Sequence, residues 1–422
     1  MKNWNKPHKL IWLTLLCFLI VIGKPSVAYA AETVDSKDGQ WEIIADYNKN
    51  TCTVTKWKGS STLLKIPSKI DGLKVTCIDL AHLSGRYDWN NINEREMITA
   101  ISIPSTVTSI EDGSFYNLPN LKKAVVPNTV KEIGDSLFGA CTSLTEVTLP
   151  KSITEIPNST FSNCISLTKV KLSSKVKSFG HSAFYGCKAL KTYMIPSTVT
   201  KIDFNCFAES GLKKITIPST VKEIDSKLFR GCESLTDVKL PSNLTGITAS
   251  MFADCKALKS ITIPASCKDV SYDAFSGCEA LTTVLFRGNP TISSYYTAIR
   301  PTAKLTIYAP SSSSNVKKYC SDKGIRFKAL NPPKLTSKKR TVSTATLKWS
   351  AVSGASGYHI YKKIGTGAYK LVKTTKALSF TDKNLKRGTT YCYYVRTLKK
   401  DALGKNLESN ASATYKTYLK KI

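Results

Sequence analysis

The residue types that carry acid–base, nucleophilic or metal chemistry are sparse in this 422-residue chain. After the first thirty residues there are three histidines, His82, His181 and His359, and they lie far apart in the sequence. There is no HExxH motif, no CxxC pair, no phosphate-binding loop and no nucleophile elbow. We therefore expect no catalytic residue, no cofactor and no metal ligand, and we predict that the protein is not an enzyme.

Cysteine is the one reactive residue type that recurs at a regular spacing. Six cysteines each follow a phenylalanine by three residues: Cys141, Cys164, Cys187, Cys232, Cys255 and Cys278. Leu118 takes the same place in another copy of the pattern, which indicates an apolar slot. We expect reduced thiols in a core, with a metal ladder or disulfides between neighbouring copies as the alternatives. Side chains that stack in register point the same way, which is poor geometry for a disulfide.

Basic residues outnumber acidic ones by 61 to 30, which gives a formal net charge of +31. Residues 331–422 hold 20 of the basic and three of the acidic residues, a net charge of +17. Excess charge bears on partners and solubility rather than on fold. We expect contact with anionic cell-wall polymers and not with nucleic acid; a solvated basic surface without a partner is the alternative. The candidate contacts are Lys338, Lys339, Arg340, Lys386, Arg387, Lys399 and Lys400.

The regular cysteines belong to a repeat with a period of 23 residues. Phenylalanines recur at this interval from Phe115 to Phe275, with one step of 22. Prolines keep the same count from Pro104 to Pro264, and Ser173 fills one vacant place. A fixed period of this length is the signature of a solenoid, in which stacked coils bury one another's apolar faces. We expect about nine coils.

Within one copy, the apolar residues mark a short strand followed by a corner. Val147 and Leu149 alternate, so they point to the same side of a strand. Pro150 removes a backbone donor and fixes φ, so it ends the strand. Phe161 and Cys164 then fill the far side of the coil. Such coils stack about 4.8 Å apart into a rod with a continuous core.

The residues that face away from this core line up along the sheet. They stand two or five residues before each proline place and are rich in threonine and lysine. We predict that this column, called the strip below, is a binding surface. Ordinary solvation is the alternative, because threonine suits strands and lysine blocks edge pairing. The strip consists of Thr145, Thr148, Thr168, Lys171, Lys191, Met194, Lys213, Thr216, Lys239 and Thr262.

The ends of the repeat deviate from the pattern, as capping coils do. We predict an opening cap from Trp41 to Ile78 and a closing cap from Leu285 to Leu330. The closing cap is predicted to contain a helix from Ser314 to Lys323.

An insertion of nine residues lies between Leu83 and Pro104. Its aromatic residues, Tyr87 and Trp89, are candidate loop contacts for a partner. Three acidic residues in and beside the insertion could bind a cation, but a solvated loop is the simpler interpretation: Asp88, Glu94 and Glu96.

The order Ile-Pro-Ser-x-Val, Ile, Phe, Cys, Leu, read over about residues 40–330, resembles the BspA-like (Treponema pallidum type) leucine-rich repeats of bacterial surface proteins. The resemblance implies a leucine-rich-repeat solenoid with its caps over residues 31–330. It also implies a protein that is secreted or attached to the cell surface and that binds other proteins or cells. The family has no catalytic residues to carry over to this chain.

Residues 331–422 follow a different pattern. Short alternating strands separated by turn residues are typical of a β-sandwich. Trp349 is a predicted core residue, and a Leu-x-x-Gly-x-x-Tyr motif that ends at Tyr391 has the spacing of a tyrosine corner. Together these features resemble a bacterial fibronectin type III domain. Cys392 is predicted to point outward as an exposed thiol.

The first thirty residues have the order of a secretory signal peptide. A basic start precedes an apolar run from Leu10 to Gly23, and Ala28-Tyr29-Ala30 fits the small-x-small rule for cleavage. The run is short for a membrane span, which needs about 20 residues; an uncleaved anchor is the alternative. We expect no transmembrane segment after cleavage and an extracellular protein, secreted or associated with the cell wall.

The predicted fold is thus mainly β: a leucine-rich-repeat solenoid of about nine turns followed by a fibronectin type III β-sandwich. The predicted function is non-enzymatic adhesion or ligand capture through the solenoid face, with proteins or glycans on other cells or matrix as partners. The alternatives are a structural cell-wall protein retained by charge and a non-catalytic carbohydrate-binding accessory protein. We expect no exposed aromatic platform in the repeats, which weakens the carbohydrate alternative.

Overall fold

The computed structural model describes residues 31–84, 92–401 and 404–419. The predicted signal peptide and the candidate loop contacts Tyr87 and Trp89 lie outside these described residues. The described chain forms a β-solenoid of about 12 coils with a 23-residue period, followed by a C-terminal unit of two sheets. The expectation of nine coils is wrong, because it counted only the copies with the full pattern, whereas the caps continue the same stack.

The N-terminal cap begins with an antiparallel sheet that turns into the parallel stack of coils. The strands are β1 (Glu32–Asp35), β2 (Trp41–Asp46), β3 (Thr51–Trp57), β4 (Leu63–Lys65), β5 (Lys69–Ile70) and β6 (Leu73–Ile78). β2 pairs antiparallel with β1 and β3, and β3 pairs in parallel with β6. A 3-10 helix (Ala81–Ser84) and helix α1 (Ile92–Met97) follow. Strands β2 to β6 span the same residues as the predicted opening cap, Trp41 to Ile78.

Each coil of the stack contributes one strand to each of two parallel faces. The strands are β7 (Ala100–Ser102), β8 (Ser109–Ile110), β9 (Lys123–Val125), β10 (Glu132–Ile133), β11 (Glu146–Thr148), β12 (Glu155–Ile156), β13 (Lys169–Lys171), β14 (Ser178–Phe179), β15 (Thr192–Met194), β16 (Lys201–Ile202), β17 (Lys214–Thr216), β18 (Glu223–Ile224), β19 (Asp237–Lys239), β20 (Gly246–Ile247), β21 (Ser260–Ile263), β22 (Asp269–Val270), β23 (Thr283–Phe286) and β24 (Thr291–Ile292). Odd-numbered strands form one face and even-numbered strands the other. Residues one period apart stand side by side, as Val147 does beside Val170.

The closing cap continues the face of the odd-numbered strands. It consists of β25 (Thr306–Ala309), helix α2 (Ser314–Asp322) and β26 (Arg326–Ala329). β25 pairs in parallel with β23 and β26. The Tyr319 hydroxyl fixes α2 against the last coil, because it donates to the Ile299 carbonyl and accepts from the Ile299 N–H. The predicted helix is confirmed.

The core of the solenoid is a column of stacked phenylalanine rings with a column of thiols beside it. The ring centroids of Phe184 lie 5.4 Å from Phe161 and 5.2 Å from Phe207. The six regularly spaced cysteines are buried as predicted, and each donates its thiol to the carbonyl of the phenylalanine one coil earlier, as Cys164 does to Phe138 at 3.0 Å. These cysteines are free thiols.

The C-terminal unit is built from two antiparallel sheets. Its strands are β27 (Leu335–Arg340), β28 (Ala345–Trp349), β29 (Gly357–Ile364), β30 (Lys370–Thr375), β31 (Ser379–Asp382), β32 (Thr390–Lys400), β33 (Asn406–Glu408) and β34 (Tyr415–Tyr418). One sheet has the order β27-β28-β31, and the other β30-β29-β32-β33 with β34 also on β32. Trp349 is buried in its core, and the Tyr391 hydroxyl accepts from the backbone N–H of Lys386 at 2.9 Å.

The prediction that Cys392 is exposed is wrong, since only 7% of this residue is accessible. β32 is an inner strand, with β29 on one side and β34 on the other. The residues in register with Cys392 on these strands are Lys363 and Lys416. Side chains in register share one face of a sheet, so the long lysine stems stand on either side of the small thiol.

Candidate binding surfaces

The strip lies where the repeat places it, on the face of the odd-numbered strands. Val147 and Leu149 are buried, whereas Thr148 between them is partly accessible. Met194 is 89% exposed, which is unusual for a large apolar side chain on a regular sheet. Thr216 and Lys239 are also exposed. The sequence therefore identified a surface column correctly; its role in binding stays a prediction.

Two of the five strip threonines have a structural role that the sequence did not indicate. The Thr145 hydroxyl donates to the Lys122 carbonyl at 3.1 Å, and the Thr168 hydroxyl donates to the Thr145 carbonyl at 3.1 Å. Thr236, three coils further on and outside the strip, makes the same bond to the Lys213 carbonyl. These hydroxyls link successive coils. Within the described residues, the threonines two residues before each proline place do not take part in this ladder between coils.

The lysines of the strip differ in how far they are engaged within the molecule. The Lys171 ammonium lies 3.0 Å from a carboxylate oxygen of Glu146, and Lys191 donates to the Lys188 carbonyl at 2.8 Å. Lys213 and Lys239 are exposed, and neither forms an ion pair in the part of the chain that the structure describes. The strip lysines that are not engaged by other described residues thus lie toward its C-terminal end.

At that end the strip runs into a cleft of about 1000 Å³ between the solenoid and the C-terminal unit. Lys239 and Thr262 lie on the solenoid wall, and Lys405 and Asn406 lie on the opposite wall. An apolar cluster joins the two walls at the base: Leu285, Tyr308, Leu330 and Leu407. The sequence did not predict this cleft, because it depends on how two separately encoded units pack together.

Hydrogen bonds at the base of the cleft fix the position of β33. The Arg287 guanidinium donates to the Glu408 carbonyl at 2.5 Å, and the Asn410 amide donates to the Arg287 carbonyl at 2.7 Å. Burial, together with the smaller effect of the nearby Arg396 charge, lowers the pKa of Arg287 to about 10. Two guanidinium groups are therefore held close together in a partly desolvated place.

The Glu408 carboxylate stabilises this arrangement. Its oxygens lie 2.5 Å from His359 Nδ1 and 3.3 Å from Arg396, and the Tyr361 hydroxyl donates to it at 2.8 Å. Burial acts to raise the pKa of Glu408, but the hydrogen bonds from His359 and Tyr361 and the charge of Arg396 outweigh it, so the pKa is lowered. His359, which the sequence left isolated, thus belongs to a partly buried polar network around Glu408.

The basic clusters of the C-terminal unit are mostly exposed. Lys338, Lys339 and Arg340 lie on β27, and Lys386, Arg387 and Lys400 are also exposed. Lys399 differs, because its ammonium donates to the Ala329 carbonyl of the closing cap at 2.9 Å. The pKa of Lys399 is lowered mainly by burial and, to a smaller extent, by the positive charge of Lys328. This lysine therefore holds the two units together and is not on a free surface.

An exposed tyrosine cluster was missed by the sequence analysis. Tyr272, Tyr295 and Tyr296 are 44%, 67% and 63% exposed, and the rings of Tyr295 and Tyr296 lie 4.3 Å apart. The expectation that the repeats have no exposed aromatic platform is therefore wrong. Tyr272 and Tyr295 are one period apart, so the 23-residue repeat itself carried the signal for this cluster.

The structure also bears on metal binding and on membrane insertion. Within the described residues, no group of three or more His, Cys, Asp and Glu side chains is arranged to hold a metal ion. His181 is exposed, and its ring stacks on Phe204 at 5.0 Å. Neither helix in the described ranges is long and apolar enough to cross a membrane.

Similar solved structures are bacterial leucine-rich repeat proteins. A leucine-rich cell surface protein of Faecalibacterium prausnitzii is 25% identical over 68% of this chain and 97% of its own, with a TM-score of 0.37. The leucine-rich repeat protein of T. pallidum is 23% identical over 53% and 91%, with a TM-score of 0.38. One from Bacteroides ovatus is 18% identical over 71% and 100%, with a TM-score of 0.40. Among curated proteins, no sequence matches this chain.

The repeat pattern itself identifies the family. The model of the BspA type leucine-rich repeat region, which comprises six copies, matches residues 91–213 and again residues 200–323. These matches together span more than half of the chain. They coincide with the coils whose phenylalanine and cysteine columns form the core described above. The chain belongs to the BspA-type leucine-rich repeat family.

Proposed function

We propose that this protein is an exported, non-enzymatic binding protein that captures proteins or glycans on other cells or in matrix. The observation that carries the proposal is the strip, where Met194 is 89% exposed among accessible threonines and lysines. A large apolar side chain in such a position contributes to binding when a partner desolvates it. Membership of a family of bacterial surface proteins supports the same function.

The rigidity of the strip suits it to recognition. Its strands are hydrogen-bonded in parallel, and the Thr145 and Thr168 hydroxyls add a second ladder between coils. A surface that is already ordered loses little conformational entropy when it binds. We further propose that the C-terminal unit is a fibronectin type III domain, which the buried Trp349 and the Tyr391 hydrogen bond support.

Binding of the mature chain, residues 31–422, to intact bacterial and host cells tests this function. Met194→Asp should weaken binding about tenfold, because it places a charge at the centre of an interface that must be desolvated. Ile165→Asp is the matched control: Ile165 is also an exposed apolar residue, 46% accessible, but it lies outside the strip. Equal binding by both variants and the parent chain would show that the strip is not the binding surface.

Export can be measured separately. Expressed in a secreting host with its own N-terminus, the chain should appear outside the cell and begin at Ala31. Retention inside the cell, or an intact N-terminus on the exported protein, would contradict a cleaved signal peptide.

A second function, retention on the cell wall by charge, is favoured by the exposed basic groups of β27 and of Lys386 and Arg387. The Debye length falls from about 10 Å at 0.1 M salt to about 3 Å at 1 M. The mature chain should therefore bind washed cell walls at low salt and elute near 1 M. Reversing the charges of Lys338, Lys339 and Arg340 together should lower the salt needed for elution; an unchanged elution profile would argue against charge retention.

A further inference from the structure

The cleft between the strip and β33 has an excess of positive charge. Five of its lining residues are basic, namely Lys214, Lys239, Arg287, Arg396 and Lys405. Two are acidic, Asp237 and Glu408. Since these groups converge from two separate units of the chain, the charge is focused into a concave space and not spread over an open surface.

The Glu408 carboxylate neutralises only part of this charge, through its ion pair with Arg396. Glu408 already accepts hydrogen bonds from Tyr361 and Arg396 and lies against His359. Arg396 Nε is buried without a hydrogen-bond partner among the described residues. Lys214, Lys239 and Lys405 are exposed, and none of them forms an ion pair in the described ranges. The cleft therefore has several cationic donors available to an incoming anion.

The groups at the mouth of the cleft are polar. Its exposed side chains include Lys214, Thr236, Lys239, Thr262, Lys405 and Asn406. The apolar lining residues Ile261, Leu285 and Leu407 are buried beneath them and already packed. An acidic peptide would need open apolar pockets for anchoring side chains, and these are filled. The ammonium groups at the mouth can instead pair with negative charges, and the hydroxyl and amide groups beside them can bind hydroxyls. A ligand chain that carries both hydroxyls and negative charges fits this set of groups.

We propose that this cleft binds a segment of an acidic polysaccharide, with Lys239 on the solenoid wall and Lys405 on the opposite wall contacting its anionic groups. The proposal rests on the proposed binding function and specifies one ligand class and one site for it. Arg287 and Arg396 supply planar guanidinium groups at the base, which match carboxylate and phosphate oxygens alike. Thr262 and Asn406 are placed to bind the sugar hydroxyls.

The test uses the mature chain and four immobilised polymers at low salt: polygalacturonate, poly(glycerol phosphate), neutral dextran and polyglutamate. The first two distinguish a carboxylate ligand from a phosphate ligand. Lys239→Glu and Lys405→Glu should each weaken binding to the preferred acidic glycan about tenfold, since each loses an attraction and adds a repulsion. Lys268→Glu is the matched control, because it makes the same charge change on an exposed lysine outside the cleft.

A third variant, Leu407→Asp, tests whether both walls are needed. It places a charge in the apolar cluster that joins the units, so it should separate them and abolish glycan binding. Small-angle scattering should record the separation, and circular dichroism should stay unchanged. All lysine variants should keep the melting temperature of the parent chain, because they replace exposed groups.

The outcomes separate the cleft from the general function. Loss of glycan binding in Lys239→Glu and Lys405→Glu, with Lys268→Glu unaffected, supports the cleft. Equal loss in all three lysine variants, or no glycan binding while the chain still binds cells through Met194, overturns the cleft and leaves the proposed function intact. Stronger binding to polyglutamate than to either acidic glycan would assign the cleft to an acidic peptide and overturn the glycan proposal.

Discussion

At the scale of single residues, the tight turn of each coil depends on a residue in the left-handed region two positions after the buried phenylalanine. Asn163, Gly186, Asp254 and Gly277 occupy this position with φ between 58° and 70°. Asparagine, aspartate and glycine tolerate this conformation, whereas a residue with an ordinary Cβ pays about 1–2 kcal/mol. Ala140, with φ of 58°, has no polar side chain to compensate.

Ala140→Gly should therefore stabilise the solenoid by up to about 1 kcal/mol, because relief of the left-handed strain exceeds the added entropy of the unfolded chain. The reverse change at an equivalent position, Gly277→Ala, should destabilise it. A Cβ there would lie 2.1 Å from the Asp254 carboxylate of the preceding coil. Urea unfolding of the three proteins measures both effects; equal stabilities would contradict the role of this turn.

Phe184→Ala should lower the free energy of unfolding by about 3–5 kcal/mol. The ring stacks between Phe161 and Phe207 and is fully buried, so its removal leaves a cavity in the middle of the column. Lys171→Ala, which changes an exposed residue on β13, should stay within about 0.5 kcal/mol. Equal shifts in melting temperature would mean that the assigned register of the repeat is incorrect.

At the scale of elements, the cysteine column is a hydrogen-bonded ladder as well as a packing layer. Each thiol points at a phenylalanine carbonyl at the turn of the preceding coil, with sulfur–oxygen distances of 3.0 Å for Cys232 and 3.2 Å for Cys255. A small side chain with a weak donor fits this slot, since it fills the space and satisfies a buried acceptor. Where the column lacks its cysteine after Phe207, the buried Ser210 lies 3.3 Å from Cys232.

The column predicts slow thiol chemistry in the folded protein. Burial raises the pKa of Cys141 and of Cys278 to about 12, so the reactive thiolate is scarce at pH 8. Cys77, the one described cysteine that is not buried, should be alkylated first, and the others only on unfolding. Time-resolved alkylation with mass spectrometry measures this order; a disulfide between Cys141 and Cys164 would contradict it.

Some strands of the C-terminal unit could not be found from the sequence. β27 carries Lys338, Lys339 and Arg340 and has few apolar residues, and β33 is only three residues long. Both strands lie at sheet edges and pair with a longer partner, β28 and β32 respectively. Their conformation is set by that pairing, since local composition alone does not favour a strand.

At the scale of the whole molecule, the contact between solenoid and C-terminal unit centres on Glu408. Its side chain joins His359, Tyr361 and Arg396 of its own unit, while its backbone carbonyl accepts from Arg287 of the solenoid. The carboxylate thus holds β33 in the position where the Glu408 carbonyl can accept the hydrogen bond from Arg287. This arrangement makes the contact sensitive to the protonation of one residue.

The stability of this contact should fall at acid pH. Because the pKa of Glu408 is lowered in the folded protein, its contribution is complete above the ordinary pKa of glutamate, about 4.3. That contribution is lost as pH falls through the lower folded value. Calorimetry between pH 7 and pH 3 should show a smaller acid loss in Glu408→Gln than in the parent chain. Glu132→Gln, at an exposed carboxylate that forms no ion pair within the described ranges, should keep the parent's acid response; identical pH profiles for all three proteins would contradict this role.

The sequence by itself determined the coil and its stacking. A period of 23 residues with fixed places for Phe, Cys and Pro stacks these places into one continuous core, so the core and the outward column followed from spacing alone. Only the tertiary structure decided the contacts between successive coils and between the solenoid and the C-terminal unit. The threonine ladder consists of hydrogen bonds between successive coils, and the basic cleft combines residues of two units that no sequence pattern connects. The position of β33 against β23 and β25 depends on the packing of Leu407 with Leu285 and Tyr308. The hydrogen bond between Arg287 and Glu408 beside this packing joins residues that are 121 positions apart in the sequence.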